Sequence, residues 1–303
     1  MNQSNPDYAR YLDAALEMRS YYIELSKTAG TPDALFSVEN FEITANSDAE
    51  RKIPVRLYTP TEKPHHESYP LVLFVHGGGW VSGNLDTHDV LVRALSLHLN
   101  AVVLSVDYRL APEVDAIGQN VDVKDAFLWL YENAEKLKGD KTKIIGVGDS
   151  AGGALISILT TDLKKKYFAA QWLMYPVIGL DVTTPSALKY GESYFPTNEA
   201  MKTFWKSQLP EGYSDQDPRL SPLFSDVNGL PPTLISVAGL DPLTSSSEAY
   251  AEKLKAHGVE SVLKNYDGAE HGFLQFFKDA KNHPAGQKGF EEGIQQLKVW
   301  LKI

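Results

Sequence analysis

A glycine-rich turn in the middle of the chain gives the strongest indication of chemistry. Residues 148–153 read Gly-Asp-Ser-Ala-Gly-Gly, directly after the apolar run Lys143–Val147 and at the start of a segment with helical spacing. A Gly-x-Ser-x-Gly pattern between a strand and a helix is typical of a nucleophile elbow, whose small neighbours leave the serine hydroxyl exposed. The alternative is a turn that binds phosphate at a helix N-terminus, which Asp149 disfavours because it would set a negative charge beside the anion. We predict that Ser150 is a nucleophile.

A second glycine-rich segment could stabilise the charge that such a nucleophile creates. Residues 76–80 read His-Gly-Gly-Gly-Trp and follow the apolar run Leu71–Val75. Acyl transfer places negative charge on a carbonyl oxygen, which preorganised backbone N–H groups stabilise, and successive glycines allow the backbone to approach the substrate closely. His76 is predicted to shape this loop rather than to act as a base. Three N–H groups are predicted to form the oxyanion hole, those of Gly78, Gly79 and Ala151.

A histidine must activate the serine, and three histidines follow Ser150 in the chain: His257, His271 and His283. In hydrolases with such an elbow, the acid follows the serine and the histidine follows the acid. His257 lies at the end of a helical segment, and His283 lies in a polar Lys-Asn-His-Pro stretch. His271 instead follows the strand-like run Val262–Tyr266, in a loop beyond a strand end. We predict that His271 is the general base.

The acid that orients this base is predicted at the end of another strand. Asp241 follows the apolar run Leu234–Ala238 through Gly-Leu and precedes Pro242. Asp267 and Glu270 are alternatives, but carboxylates next to the base on its own loop seldom reach round to its Nδ1 atom. The predicted catalytic residues are therefore Ser150, Asp241 and His271.

Composition narrows the kind of protein in which this chemistry occurs. The chain has 303 residues, a formal net charge of -10 and no cysteine. The negative charge disfavours a nucleic-acid partner, since phosphate binding needs clustered Lys and Arg, and the lack of cysteine excludes disulfides and thiolate metal sites. No cluster of His or carboxylates suggests a metal, and the chemistry needs no cofactor. No run approaches the roughly 18 apolar residues of a membrane span, so we expect a cytoplasmic protein.

Hydrophobic patterning shows which elements must position these residues. Short continuous apolar runs suit strands buried on both faces of a parallel sheet, and strands that alternate with helices predict a doubly wound α/β fold. The predicted strands are Phe41–Thr44, Ile53–Tyr58, Leu71–Val75, Ala101–Val106, Lys143–Val147, Trp172–Tyr175, Thr233–Ala238 and Val262–Tyr266. The predicted helices between and after them are Val90–Leu99, Val121–Leu137, Ala151–Leu163, Ser245–His257 and Gly289–Leu301.

Two segments lie outside this alternation and could cover the site. Asn5–Lys27 has helical spacing before any strand, and Asp181–Leu223 is rich in Pro, Tyr, Ser and Asp, with a helix predicted at Asn198–Gln208. We predict one domain over residues 1–303 with cap elements at about 1–35 and 181–223, although ordinary surface helices explain the pattern equally well. Candidate substrate-binding aromatics are Trp80, Phe204 and Trp205, with Tyr8 and Tyr11 as further cap residues.

These motifs together resemble the hormone-sensitive lipase family of α/β-hydrolases, which includes the bacterial family IV esterases. The matching stretches, in the order of the family, are HGGGW at 76–80, DYRLAPE at 107–113, GDSAGG at 148–153, SPL at 221–223, AGLDPL at 238–243 and HGF at 271–273. The resemblance implies an eight-stranded, mostly parallel sheet with a helical cap, and a serine carboxylesterase that hydrolyses short-chain acyl esters. It implies the same oxyanion hole, and a homodimer formed through the last strand and helix is a further option.

Two stretches depart from the family, and two other functions stay open. Val114–Asn120 replaces aromatic and Pro-rich residues, and Thr244–Ser247 replaces the usual Arg-Asp-Glu, so a supporting carboxylate beside the acid is lost. One alternative function is an arylformamidase or another amide-directed hydrolase, because these loops do not separate esters from activated amides. The other is a ligand-binding protein without catalysis, which the presence of all three predicted catalytic residues disfavours.

Overall fold

One sheet forms the centre of the computed structural model, which describes residues 7–164 and 166–303. Within these residues the sheet has eight strands: β1 (Ser37–Ala45), β2 (Asp48–Thr59), β3 (Tyr69–Val75), β4 (Val102–Val106), β5 (Gly139–Asp149), β6 (Ala170–Met174), β7 (Thr233–Ala238) and β8 (Ser261–Tyr266). The α-helices of the same residues are α1 (Tyr8–Ser26), α2 (Asp89–Leu99), α3 (Ala116–Glu132), α4 (Ala151–Leu163), α5 (Pro185–Tyr190), α6 (Asn198–Gln208), α7 (Thr244–Ala256) and α8 (Gly286–Leu301).

The strands lie in the order β1-β2-β4-β3-β5-β6-β7-β8. Strand β2 pairs antiparallel with both β1 and β4, and every pair from β4 to β8 is parallel. Strands β3, β4, β6 and β7 are buried along their whole length, which explains their continuous apolar runs. The predicted eight-stranded, mostly parallel sheet is confirmed. Because these strands are parallel, the C-terminal ends of β3, β5, β7 and β8 lie at the same edge of the sheet.

Two apolar layers cover the faces of the sheet. One contains α3, α4 and α7, and side chains of α1 and α6 pack in the same layer. The other contains α2 and α8. Helix α6 therefore shares its buried side chains Met201, Phe204 and Trp205 with the body of the protein. Among the described residues, none of the helices combines the length and the apolar character that a membrane crossing requires.

Helices α4 and α6 have the predicted bounds, and the ends of α2, α7 and α8 lie within three residues of the predicted ones, whereas α3 and α5 differ more. Helix α3 begins five residues before the predicted Val121, because the Asp115 side chain accepts the Gly118 N–H at 3.0 Å and caps the helix. It ends before the predicted Leu137, where the Asn133 side chain donates to the Trp129 carbonyl. Helix α5 was not predicted, and its start is marked by Thr184, whose hydroxyl accepts the Ala187 N–H.

The two predicted cap elements contain three of the helices. Helix α1 belongs to the first, and α5 and α6 belong to the second. Residues 1–6 of the first element lie outside the described residues. Within the described part of the chain no cluster of three or more metal-ligating side chains occurs. The extent of the domain and a homodimer through β8 and α8 stay predictions.

We expect Gly293→Ala to destabilise the protein, although alanine is the better helix former by about 1 kcal/mol. A Cβ atom at Gly293 in α8 would collide with the ring of Trp172, which is fully buried. Overpacking of this kind costs about 1–3 kcal/mol. Urea unfolding would measure the change in free energy. The matched control is Gln295→Ala on the exposed face of the same helix, and equal stability of the two variants would contradict the prediction.

Candidate active site

Ser150 lies at the sharp turn between β5 and α4. Its backbone has a φ of 51° and a ψ of -119°, a conformation that non-glycine residues rarely adopt. A Cβ atom at Gly152 would collide with the carbonyl oxygen of Val75 on the neighbouring strand β3. The glycine therefore lets the first turn of α4 pack directly against β3, and this packing holds the turn that presents the serine hydroxyl.

The structure brings together the three residues that were predicted to act together. The Ser150 hydroxyl oxygen lies 2.9 Å from Nε2 of His271, and Nδ1 of His271 lies 2.6 Å from Oδ2 of Asp241. Asp241 follows β7, and His271 follows β8. All three side chains are nearly buried, with Asp241 only 1% exposed. Neither Asp267 nor Glu270 makes a hydrogen bond to His271 within the described residues.

This geometry assigns the proton on the His271 ring. An ionised carboxylate only accepts hydrogen bonds, so Nδ1 of His271 carries the proton and donates it to Asp241. The unprotonated Nε2 then accepts the hydroxyl proton of Ser150. The other oxygen of Asp241 accepts the Leu243 N–H at 2.9 Å. The carboxylate is thus held from both sides, and the serine faces a base in the tautomer that can remove its proton.

The loop after β3 packs against this turn. A Cβ atom at Gly77 would touch Asp149, and the Gly77 N–H donates to Oδ1 of Asp149 at 2.8 Å. His76 is fully buried and stacks on Tyr108 with 4.4 Å between ring centroids, which agrees with a role in shaping the loop. Among the described residues, the N–H groups of Gly78, Gly79 and Ala151 donate none of the hydrogen bonds found and are free to bind an oxygen near the serine.

Asp149 itself is buried beside the serine. Burial raises the pKa of its carboxyl group, but the nearby His88 and the hydrogen bonds from His88 and Gly77 outweigh it, and the pKa is lowered. Nε2 of His88 lies 3.1 Å from the carboxylate. The side chain therefore stays ionised inside the protein and joins the turn at Ser150 to the loop that starts at Gly77.

A cavity of about 250 Å³ opens above Ser150 and His271. Its wall is mostly apolar, and its floor includes Gly78 and Gly79. The side chains contributed by the cap and by the segment after β8 are Met18, Tyr21, Tyr22, Leu25, Phe195, Pro196, Met201, Phe204, Gln275, Phe276 and His283. The site is therefore a mostly apolar pocket that contains Ser150 and His271.

Of the three predicted substrate-binding aromatics, only Phe204 lines this cavity. Trp80 and Trp205 are at most 2% exposed and contact each other edge to face, with ring centroids 5.6 Å apart. Nε1 of Trp205 donates to Asp215 at 2.7 Å. Phe204 and Trp205 differ because adjacent helix residues point about 100° apart. Tyr8 and Tyr11 also lie away from the cavity wall.

The face of α1 that lines the cavity was not predicted. Met18, Tyr21, Tyr22 and Leu25 follow the spacing of one helix face. That periodicity is visible in the sequence, but it does not show which partner the face covers. Arg19 anchors the helix next to this face, because its guanidinium donates to the Val81 carbonyl at 2.8 Å and to both carboxylate oxygens of Glu113.

Comparison with known proteins identifies the family to which this architecture belongs. Residues 72–275 match a protein family described as having the alpha/beta hydrolase fold. The chain belongs to this α/β-hydrolase family. The predicted fold class is thereby confirmed, and so is the hormone-sensitive lipase grouping, because the relatives of the chain are esterases.

Three known proteins show the extent of the similarity. The carboxylic ester hydrolase LipN of Mycobacterium tuberculosis is 39% identical over 246 residues, which cover 78% of this chain and 64% of LipN. The ethyl acetate hydrolase of Pseudomonas putida is 32% identical, and the match covers 96% of this chain and 98% of that protein. The solved structure of the ester hydrolase EH1AB1, from the metagenome of Lake Arreo, has a TM-score of 0.87 at 29% identity and covers 98% of this α/β-hydrolase and 99% of that chain. These relatives confirm the predicted enzyme class, a carboxylic ester hydrolase.

The link between Arg19 and Glu113 should make part of the stability depend on pH. The hydrogen bond from Arg19 lowers the pKa of Glu113 below its ordinary 4.5. A lowered pKa in the folded state stabilises above the unfolded pKa, and the contribution is lost as the pH falls through the folded pKa. Because both side chains are partly exposed, we expect Glu113→Gln to cost about 0.5–1 kcal/mol at pH 7.

Thermal unfolding at pH 7 and pH 3 would measure this effect. The difference in Tm between the wild type and Glu113→Gln should shrink at pH 3, whereas Glu42→Gln, on the exposed side of β1, should change little at either pH. A difference that persists unchanged at pH 3 would show that Glu113 acts through packing rather than through its charge.

Proposed function

We propose that this chain is a serine carboxylesterase that hydrolyses short-chain acyl esters through an acyl-enzyme on Ser150. The observation that carries the proposal is the continuous chain of hydrogen bonds from Ser150 through His271 to Asp241 at the base of an apolar cavity. A serine is a weak nucleophile unless an adjacent base removes its proton, and a third group must hold that base in position. The three side chains have the types, tautomer and distances that this chemistry needs.

The first half of the reaction transfers the acyl group to the enzyme. Nε2 of His271 takes the Ser150 proton while the serine oxygen attacks the ester carbonyl carbon. Negative charge builds on the carbonyl oxygen, and the free N–H groups of Gly78, Gly79 and Ala151 are the donors available to stabilise it. His271 then gives its proton to the leaving alcohol. Asp241 stabilises the transient imidazolium and keeps the ring oriented.

The second half releases the acid. Water replaces the alcohol in the cavity, and His271 takes a proton from it as it attacks the acyl-enzyme. The same N–H groups hold the second oxyanion. When the intermediate collapses, His271 returns its proton to Ser150, so the enzyme regains its starting state and needs no other reactant.

The cavity favours small apolar acyl groups. A space of about 250 Å³ closed by Met201, Phe204 and Phe195 leaves little room for a long chain. A relative of nearly equal length is named for ethyl acetate, a short ester, and this supports the same substrate class here. The surface of the cavity is mostly apolar, so burial of apolar substrate surface supplies most of the binding free energy.

Replacing Ser150 by Ala should remove turnover of 4-nitrophenyl acetate by a factor of at least 10³ and leave the fold intact, because the nucleophile is lost. Stopped-flow absorbance would also show a burst of nitrophenol in the wild type if the acyl-enzyme accumulates. Ser157→Ala, in the same helix α4 but below the site, is the matched control. Activity that persists in Ser150→Ala would mean that another residue is the nucleophile.

The same protein should prefer esters to activated amides. We expect kcat/KM for 4-nitrophenyl acetate to exceed that for an aryl formamide of similar size. A preference for the formamide by about two orders of magnitude would replace the esterase assignment with that of an arylformamidase.

Phe204→Ala should shift the preference towards longer acyl chains. The substitution removes a ring from the cavity wall next to Gly79 and so enlarges the cavity. The matched control Trp205→Phe changes a buried contact with Trp80 outside the cavity. We expect the ratio of kcat/KM for hexanoate over acetate to rise about tenfold in Phe204→Ala, since each buried CH₂ contributes about 0.8 kcal/mol. Trp205→Phe should lower the free energy of unfolding by about 1–3 kcal/mol without changing that ratio. The opposite pattern would place the acyl group elsewhere.

A further inference from the structure

The mechanism above makes no use of a buried polar network that lies directly beside the proposed oxyanion hole. Its centre is Asp149, which is 1% exposed and precedes the proposed nucleophile. Oδ1 of this carboxylate accepts the Gly77 N–H at 2.8 Å and also faces Nε2 of His88 at 3.1 Å. The carboxylate therefore holds the peptide group that immediately precedes the N–H of Gly78.

His88 connects this carboxylate to the cap. The carboxylate only accepts hydrogen bonds, so a proton on Nε2 of His88 faces Asp149 at 3.1 Å. The same Nε2 atom lies 3.4 Å from the hydroxyl oxygen of Tyr22 on helix α1. The Tyr22 ring also contacts the His88 ring edge to face, with centroids 5.9 Å apart.

Tyr22 also donates a hydrogen bond to the segment that follows β8. Its hydroxyl donates to Oε1 of Gln275 at 2.7 Å, which leaves the oxygen free to accept from His88. The Gln275 side chain donates to the Thr87 carbonyl, and its backbone N–H donates to the Tyr175 hydroxyl. The Tyr175 ring packs on the ring of His271 at 4.7 Å. One hydroxyl group of the cap thus touches both the nucleophile side and the base side of the site.

We propose that Tyr22, His88 and Asp149 form a positioning relay through which the cap helix α1 sets the geometry of the oxyanion loop. The proposal rests on the proposed ester hydrolysis. A closed cap seats the Tyr22 hydroxyl against His88 and Gln275, His88 then holds Asp149, and Asp149 holds the Gly77 peptide. A displaced cap withdraws the hydroxyl, and the loop loses the support that keeps the N–H of Gly78 aimed at the developing oxyanion.

Electrostatics support a role in positioning. Burial raises the pKa of Asp149, but His88 and the Gly77 N–H outweigh burial and lower the pKa, so the carboxylate stays charged and keeps its strong hydrogen bonds. Burial and the nearby Asp149 both raise the pKa of Tyr22 well above its ordinary value, so the hydroxyl keeps the proton that it donates to Gln275. Tyr22 and Asp149 border the cavity, and the relay assigns them a role that acts through the groups that hold the oxyanion.

Tyr22→Phe tests the relay because it removes the hydroxyl and keeps the ring contact with His88. We expect kcat for 4-nitrophenyl acetate to fall about tenfold, less than the 10²–10³ lost with a whole oxyanion donor, while KM changes less than twofold. The inhibition constant of butylboronic acid, whose adduct with Ser150 places an oxygen in the oxyanion hole, should rise by the same factor. Tyr250→Phe is the matched control, because the Tyr250 hydroxyl is buried and bonds Ser157 at 2.8 Å away from the cavity.

The control should lower Tm and leave both kcat and the inhibition constant at wild-type values. Wild-type kcat and inhibitor affinity in Tyr22→Phe would overturn the relay. A change in KM alone would also overturn it, since that result limits Tyr22, which lines the cavity, to substrate binding.

Hydrogen exchange measured by mass spectrometry tests the same relay without turnover. The peptide that contains Gly77, Gly78 and Gly79 should exchange faster in Tyr22→Phe than in the wild type or in Tyr250→Phe. Asp149→Asn, which keeps an acceptor for Gly77 but loses the charge that faces His88, should give an intermediate rate. If the wild-type protein hydrolyses no ester, the proposed function fails and the relay is decided on exchange alone. Equal exchange of this peptide in all variants would overturn the relay.

Discussion

The site depends on one steric constraint, the lack of room for side chains at the turn that follows strand β5. Between Gly148 and Gly152 the chain turns from strand to helix while it lies against the backbone of Val75 and His76 on the next strand. Because no side chain fits between these segments, the first turn of α4 and the loop after β3 are brought into contact. The strained backbone of Ser150 and the nearby free N–H groups are consequences of that contact. A bulkier residue at Gly152 would separate the proposed nucleophile from the proposed oxyanion hole.

A buried charge accompanies this constraint. An isolated carboxylate inside a protein is unfavourable unless it is paired and hydrogen-bonded, and Asp149 meets the condition with Gly77 and His88. Removing one partner of such a pair leaves an uncompensated charge. An apolar residue at the same place would avoid the desolvation cost but would not hold the Gly77 peptide. The Asp149 carboxylate therefore orients the Gly77 peptide group rather than adding to the net stability of the fold.

The parts of the site that the sequence could predict are those set by local pattern and chain order. Ser150 follows from its place between a strand and a helix, while His271 and Asp241 follow from their positions after strands. The distances between these three side chains cannot be derived from the sequence, but parallel strands bring their C-terminal ends to one edge of the sheet.

The positions of Trp80 and Trp205 could not be predicted from the sequence, because the direction of each ring depends on how α6 packs on the rest of the protein. The contacts among Tyr22, His88, Asp149 and Gln275 could not be predicted, since these residues are far apart in the chain and no periodicity connects them.

The acid side of the site is held by different chemistry. Where the family usually has Arg-Asp-Glu, this chain has hydroxyl groups at 244–247, and Thr244 and Ser246 donate to the carbonyls of Ala238 and Leu243. Ser245 and Ser186 exchange backbone N–H to hydroxyl hydrogen bonds of 2.9 and 3.0 Å, which join α7 to the unpredicted helix α5 of the cap. Neutral hydrogen bonds of this kind add no second charge next to Asp241, because residues 244–247 carry hydroxyl groups only. The cap thus contacts both halves of the site, through a paired charge next to the serine and through hydroxyl groups next to the acid.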